Sequence, residues 1–341
     1  DADHYLFVLV DGLGDRLVDE LPREAFLSAH RCATLRAVFP STTAAALTTL
    51  ATARWPGEHC VLGWWMYLPG ADVNLVTLPF TERTTGMALE RYGVRAADVY
   101  PVPSVWHNLA RDACVVLPQS IVASVYSRYA RGEAEHLAYT DLGDAVRTAA
   151  ARVRGASGSS LTYLYLPQLD TVMHEQGPYA EDSRKTLRAI DRALVELADA
   201  VRGRARVVVT ADHGHVAIPP ESRRLLPPGD PLYELLVTRP SGEPRVPFFH
   251  VRQGSHREFE QRFEGRFGDD YLLVAADAVD RMRLFGPNPM HPTARARLGS
   301  HVGFPRGANV FVTDPDAANA GHAGAHGGPL RDEMRIPLVL A

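Results

Sequence analysis

Lysine is almost missing from this chain: of its 36 basic residues, all but Lys185 are arginine. Cysteine is scarce as well. Cys32, Cys60 and Cys114 form neither an even set nor a short paired spacing, so neither a disulfide framework nor a thiolate zinc site is expected, and the thiols read as buried side chains. Neither sign of charge is in excess. Forty acidic residues against 36 basic ones leave a net charge of −4 with no run of like charges, which argues against a nucleic-acid polymer as partner and against a charged disordered tail. Any anionic substrate must therefore be held by local positive charge. No apolar run reaches the ~20 residues of a membrane span, and no signal peptide is visible. A cytoplasmic location is favoured on that ground, though a processed leader ahead of Asp1 stays compatible with the sequence. Nothing in the pattern encodes an oligomeric state.

What is present is ordinary globular material. With 46% hydrophobic and 22% charged residues, 341 residues suffice for a substantial core. Tyr5-Leu-Phe-Val-Leu-Val10 is a short continuous apolar run, as expected of a strand buried on both faces of a parallel sheet, and it stops at Asp11-Gly-Leu-Gly14. The same grammar recurs where Leu161–Leu166 runs into Pro167-Gln-Leu-Asp170, and where Arg206–Thr210 runs into Ala211-Asp-His-Gly214. Three strands thus each deliver an aspartate near their carboxyl ends, the edge at which open α/β sheets bind ligands. Helix-patterned stretches at Ala44–Ala53, Leu142–Val153 and Ser183–Val201 alternate with them, predicting an α/β, doubly wound, mostly parallel sheet flanked by helices. From Ile218 to about Pro305 the texture becomes Pro-rich, with strands at Phe248–Val251 and Tyr271–Ala275 and a polar helix from His256. This reads as a smaller inserted cap subdomain, 218–305, within a core of 1–217 and 306–341 that resumes at Asn309–Thr313 and ends at Ile336–Leu340.

Four segments carry candidate chemistry. Phe39-Pro-Ser-Thr-Thr43 precedes an Ala-rich helix whose free amides and dipole attract an anion, so its hydroxyls are N-caps or a nucleophile. Asp170 and His174, four apart, share one face of a helical turn and can reach one cation. Asp212-His213 places two ligand types at a strand end. Gly321-His-Ala-Gly-Ala-His326-Gly-Gly328 holds imidazoles in a loop that permits close backbone approach. Three aspartates, three histidines and one hydroxyl together suit two divalent cations such as zinc, with manganese also compatible.

This set, Asp11-Gly, Phe39-Pro-Ser-Thr-Thr43, Asp170-x-x-x-His174-x-x-Gly177-Pro178, Ala211-Asp-His-Gly214 and Gly324-Ala-His326-Gly, resembles the alkaline phosphatase superfamily, and within it the nucleotide pyrophosphatase/phosphodiesterase branch. The resemblance runs in order from residue 5 to the end and is weakest between 65 and 155 and across the insert. It implies one metal held by Asp170, His174 and His326, and another held by Asp11, Asp212, His213 and the Thr43 oxygen. Thr43 would be the nucleophile, forming a covalent phospho-threonine, with the Ala44 amide on a non-bridging oxygen. Thr43 is preferred to Thr42 because it precedes Thr52, the threonine of the branch's Thr-Gly at the helix end, by nine residues. Trp55-Pro-Gly-Glu-His59 resembles the family's Tyr-Pro-x-x-His-Gly with Cys60 in place of glycine. Gly63-Trp64-Trp65 stands where phosphodiesterases often carry a phosphoryl-binding asparagine, and Trp64 and Trp65 suit an apolar or aromatic ester group. The expected function is hydrolysis of a small-molecule phosphate ester, a diester or nucleotide pyrophosphate first. A phosphomonoesterase or phosphonate hydrolase is the alternative, and a non-catalytic metal- or phosphate-binding protein the third reading. His215 is expected to point away from the site, and His322 is a rival to His326.

Overall fold

The computed structural model describes residues 2–313 and 322–341, so Gly321 of the histidine-rich loop lies outside the described residues. Its main sheet has seven strands, here β1 (His4–Val10), β2 (Arg31–Arg36), β3 (Asp112–Pro118), β4 (Glu135–Tyr139), β5 (Ser160–Leu166), β6 (Ala205–Thr210) and β7 (Arg335–Leu340). They lie side by side in the order β2-β7-β6-β1-β5-β3-β4. The five from β6 to β4 are mutually parallel, whereas β7 runs antiparallel to both neighbours.

The apolar runs are continuous because each strand is covered on both faces. Leu6, Val8 and Val10 of β1, Cys114 and Val116 of β3, and Leu164 and Leu166 of β5 pack into one core. The helices Leu142–Gly155 and Glu181–Ala200 close that side. The alternate residues Leu9, Val115, Leu117, Tyr163 and Tyr165 enter a second core beneath the helix Thr43–Thr52. That helix offers Ala44, Leu47 and Ala51 to it, small enough to bring the helix start close to the sheet.

A second sheet of seven short strands is antiparallel throughout. It runs Tyr271–Ala275, His301–Pro305, Pro247–Phe249, Ser241–Gly242, Trp65–Leu68, Val73–Val76 and Thr81–Glu82, and so takes strands from both sides of residue 218. The expected helix from His256 forms over His256–Phe267 and buries Phe259, Phe263 and Phe267. The strand expected at 309–313 forms over Val310–Val312, but it does not rejoin the main sheet. It pairs in parallel with Arg223–Leu225, because Phe311 is drawn into the phenylalanine cluster around Phe249, Phe263 and Phe267. The edge strand β2, whose exposed residues carry no buried-strand pattern, was not legible in the sequence. No helix among the described residues is long and apolar enough to cross a membrane.

The two sheets are joined by a fully buried ion pair. The Arg245 guanidinium donates to both Glu333 oxygens, Nε to Oε1 at 2.6 Å and Nη2 to Oε2 at 2.9 Å, and its remaining donors reach the carbonyls of Asn309 and Gly307. Removing one partner of such a pair leaves a buried uncompensated charge. Glu333→Ala is therefore expected to lower the urea-unfolding free energy by roughly 3–5 kcal/mol. Arg16→Ala, which breaks the exposed neighbouring contact to Asp332, should leave the unfolding midpoint nearly unchanged. Similar small losses from both substitutions would remove the buried pair from the account of stability.

Candidate active site

The site forms where β1, β5 and β6 end. The register pairs Val10 with Leu166 and Leu9 with Thr210, so the strand ends are level. Asp11 follows β1 directly and Asp212 lies two residues past β6. Asp170 lies in the first turn of the helix Gln168–Gln176, whose next turn presents His174 on the same side, as the i, i+4 spacing predicts. Thr43 is the first residue of its helix. The first intrahelical acceptor is the Thr42 carbonyl, bound by the Ala46 amide at 3.0 Å, so the amides of Thr43 to Ala45 have no acceptor within the helix. His326 arrives from the loop after Gly324-Ala325, which pairs with Val216-Ala217 just beyond the Asp212-His213 turn.

All seven predicted side chains converge. Thr43 Oγ1 lies 3.0 Å from His213 Nε2, and that nitrogen is 3.4 Å from Asp11 Oδ1 and 3.5 Å from Asp212 Oδ2. The His213 and His326 rings stack with centroids 3.7 Å apart. Asp170 Oδ1 stands 3.5 Å from His174 Nε2 and 3.8 Å from His326 Nε2. The inward direction of the Nε2 atoms is set from behind: Nδ1 of His174 meets the Gly324 carbonyl at 3.1 Å, that of His326 the Ser41 carbonyl at 3.0 Å, and that of His213 the Gly214 carbonyl at 3.2 Å. With those protons on Nδ1, each Nε2 offers a lone pair.

The polar balance of this cluster is the test of whether it suits a cation. Asp11 has one oxygen held by the Tyr165 hydroxyl, and Asp212 has one held by the amides of Gly12 at 3.1 Å and His213 at 3.0 Å. The other oxygens, Asp11 Oδ1 and Asp212 Oδ2, are buried and have no hydrogen-bond partner among the described residues. Burial, reinforced by the Asp170 and Asp212 charges, pushes the Asp11 carboxyl well above its ordinary range. Burial lowers His174 to about 4 and His326 well below the usual imidazole value, keeping both neutral, the form that binds metals. At Asp170 burial acts upward but is outweighed by His174 and by a hydrogen bond from His215, which hold the carboxyl well below its usual range. Lone pairs and carboxylate charge facing one another in a buried space fit divalent cations. Among the described residues two donor groups within 4.8 Å can be drawn, Asp11, Asp212 and His213, and Asp170, His213, His215 and His326.

His215 is therefore at the site, contrary to the expectation that it points away. Gly214 packs so closely against the segment before β7 that a Cβ there would meet the Asp332 carbonyl at 2.1 Å, and the next residue, His215, lies against Asp170, Nε2 to Oδ1 at 2.6 Å. The His322 ring lies 4.9 Å from that of His174 at the exposed rim. Sequence reasoning missed Ser41, which binds the Gly328 carbonyl and the Gly327 amide, and Tyr165, one of several tyrosines in an apolar strand. It also missed Glu243, whose carboxylate accepts from the Trp64 amide and which burial raises to about 7. Among the aromatics, Trp106 and Tyr67 pack onto Tyr163 and His250, while the face of Trp65 is covered by the Arg83 guanidinium at 3.6 Å. His59 ties the loop after the helix by accepting from the Val61 amide and meeting the Thr49 hydroxyl.

Comparison with known proteins bears on the fold and the family. Murine ectonucleotide pyrophosphatase/phosphodiesterase 5 superposes over 98% of this chain and 87% of its own, with a TM-score of 0.73 at 14% identity. An inactive form of the murine protein in complex with AMP and the human protein of the same name each superpose with TM-scores of 0.72, at 14% identity and the same coverage. No curated protein matches the sequence significantly. The profile of type I phosphodiesterase/nucleotide pyrophosphatase matches residues 5–328, and the chain belongs to that family of phosphoester hydrolases.

Proposed function

We propose that this enzyme cleaves small phosphodiesters or nucleotide pyrophosphates through a covalent phospho-threonine at Thr43. Two divalent cations would serve it, zinc or manganese, one held by Asp170, His174 and His326 and the other by Asp11, Thr43, Asp212 and His213. The observation that carries this reading is the meeting of Thr43 Oγ1, His213 Nε2 and the unpartnered oxygens of Asp11 and Asp212 at a helix start. The family is metal-dependent, and the donor groups present fit such ions. When bound, divalent cations lower the pKa of a coordinated hydroxyl and offset the charge of an in-line displacement.

The remaining steps belong to the chain itself. Thr43, fixed by the first turn of its helix, attacks phosphorus. The Oγ1–H proton is lost to solvent as the Oγ1–phosphorus bond forms, and the ester oxygen opposite departs with its bonding pair and takes a proton from solvent, leaving as an alcohol or phosphate. The Ala44 amide, with no acceptor in its own helix, holds a non-bridging oxygen as negative charge develops. Water then attacks from the vacated side, breaking the threonine ester and releasing a phosphomonoester. The cap region 218–305, with the strands between 65 and 82 that share its sheet, is proposed to shape the leaving-group pocket, with Trp64 and Trp65 at its wall. The AMP held by the murine protein makes a nucleotidyl ester a reasonable occupant.

Diester preference rests on the arginines. A monoester dianion calls for a further cation near phosphorus. Arg224 is committed to Asp270, and Arg297 is buried on the carbonyls of Cys60, Val99 and Asp98. Arg223 reaches the His322 carbonyl at the rim. A monoesterase would require an arginine, Arg223 for example, to turn inward.

Three outcomes follow. Thr43→Ala should lose about three orders of magnitude or more in kcat, while isothermal titration still detects metal binding through Asp11, Asp212 and His213. Near-normal turnover would move the role to Thr42 or to water. Dialysis against a chelator should abolish activity, and added zinc or manganese should restore it; activity that survives complete metal removal contradicts a metal-assisted reaction. For matched substrates, kcat/KM for bis-p-nitrophenyl phosphate should exceed that for p-nitrophenyl phosphate by at least ~10-fold, about 1.4 kcal/mol. A reversed ratio gives first place to the monoesterase.

A further inference from the structure

The distances around Asp170 separate two kinds of neighbour. Two donors that share a tetrahedral ion at about 2.0–2.1 Å each stand about 3.3–3.4 Å apart. His174 Nε2 at 3.5 Å and His326 Nε2 at 3.8 Å from Asp170 Oδ1 fall near that separation, as do the contacts of His213 with Asp11 at 3.4 Å and with Asp212 at 3.5 Å. His215 Nε2 does not. At 2.6 Å from Asp170 Oδ1 it is at hydrogen-bonding distance, too close for a second ligand of a shared ion.

We propose that His215 is a positioning residue: it donates Nε2–H to Asp170 Oδ1 and fixes that carboxylate for the cation shared with His174 and His326, without binding the cation itself. This rests on the two-cation reading above. A carboxylate oxygen has two lone-pair sites, so one can take the imidazole while the other faces the ion. The ring is locked for the task. Its side chain is fully buried, and it lies over Gly12, where a Cβ would approach His215 Cδ2 to 3.1 Å and Met173 Cε to 2.8 Å. Its ring also sits 4.7 Å from that of His174 and 5.1 Å from that of His326. The next residue, Val216, pairs with Ala325, so the strand bridge that places His326 also places His215. Among the described residues Nδ1 is buried without a partner, so the ring's hydrogen bond is made through Nε2. Asp11 has a counterpart in the Tyr165 hydroxyl, so each half of the site owns one side-chain donor of this kind.

The test is zinc titration of the metal-free full chain against a chromophoric chelator, with cobalt absorption spectra in parallel, for the parent, His215→Leu and His215→Gln. His215→Leu should keep two metal equivalents and a parent-like cobalt spectrum, with one affinity weakened roughly 10–100-fold. His215→Gln, which can still present an N–H, should recover most of that loss, whereas a mere packing role would not favour an amide over leucine. Loss of one equivalent in His215→Leu would make His215 a ligand, and unchanged affinities in both variants would leave it no role toward the metal; either result overturns the proposal. Should His215→Leu fail to fold by circular dichroism, His215→Gln and His215→Asn decide, with only the former expected to retain the affinity. Fewer than two equivalents in the parent would instead overturn the two-cation reading.

Discussion

The structure depends on one buried carboxylate, that of Glu333. Its two oxygens take the Arg245 guanidinium from the second sheet and the amides of Gly328 and Leu330, while its own backbone carbonyl receives the Gly214 amide. One residue thus ties the cap region, the loop that ends in His326 and the turn that follows His213. A charge this deep is held only when its lone pairs have donors, and here the donors come from Arg245, 88 residues away in sequence, and from the nearby amides of Gly328 and Leu330. The position of His326 relative to His213 is a by-product of satisfying that carboxylate. Ser41 adds a second tie, joining the loop before Thr43 to Gly327 and Gly328, so nucleophile and donors share one polar frame.

The site follows a repeated division of labour. One oxygen of Asp11 and one of Asp212 is held by a protein donor, and the other is buried and unpartnered. The histidines do the same with their two nitrogens, Nδ1 to a carbonyl and Nε2 inward. The protein thereby spends its hydrogen bonds on orientation and leaves an electron-rich hollow, which is unstable without positive charge. The helix start at Thr43 adds the partial charge of its free amides on the same side.

Legibility in the sequence tracked the range of the interaction concerned. The strands ending at Asp11, Asp170 and Asp212 could be read because burial on both faces imposes a continuous apolar run, and the Asp170–His174 pair because four residues make one helical turn. The element ends moved by only a residue or two. His215 was misjudged because the path of its segment is set by the close packing of Gly214 on the Asp332 carbonyl, 118 residues onward in sequence. Glu243, Tyr165 and Ser41 act through partners on other elements, and no local period marks them. The strand at Val310–Val312 was visible as a strand, but its partner was chosen by a cluster of phenylalanines, which no spacing reveals.

Strand β7 comes after every other strand of the main sheet in sequence, yet it lies between β2 and β6. Until residues 335–340 exist, β2 has no neighbour in that sheet, and the loop it leads into, which ends at Thr43, lacks its support. The strand is drawn from the same turn as Glu333, so closing the sheet and setting the metal-side loops are one event. Contacts of this sequence separation cost loop-closure entropy before they return any stability. Assembly of the reactive centre is consequently a late and cooperative step of folding, coupled to the final zipping of the sheet.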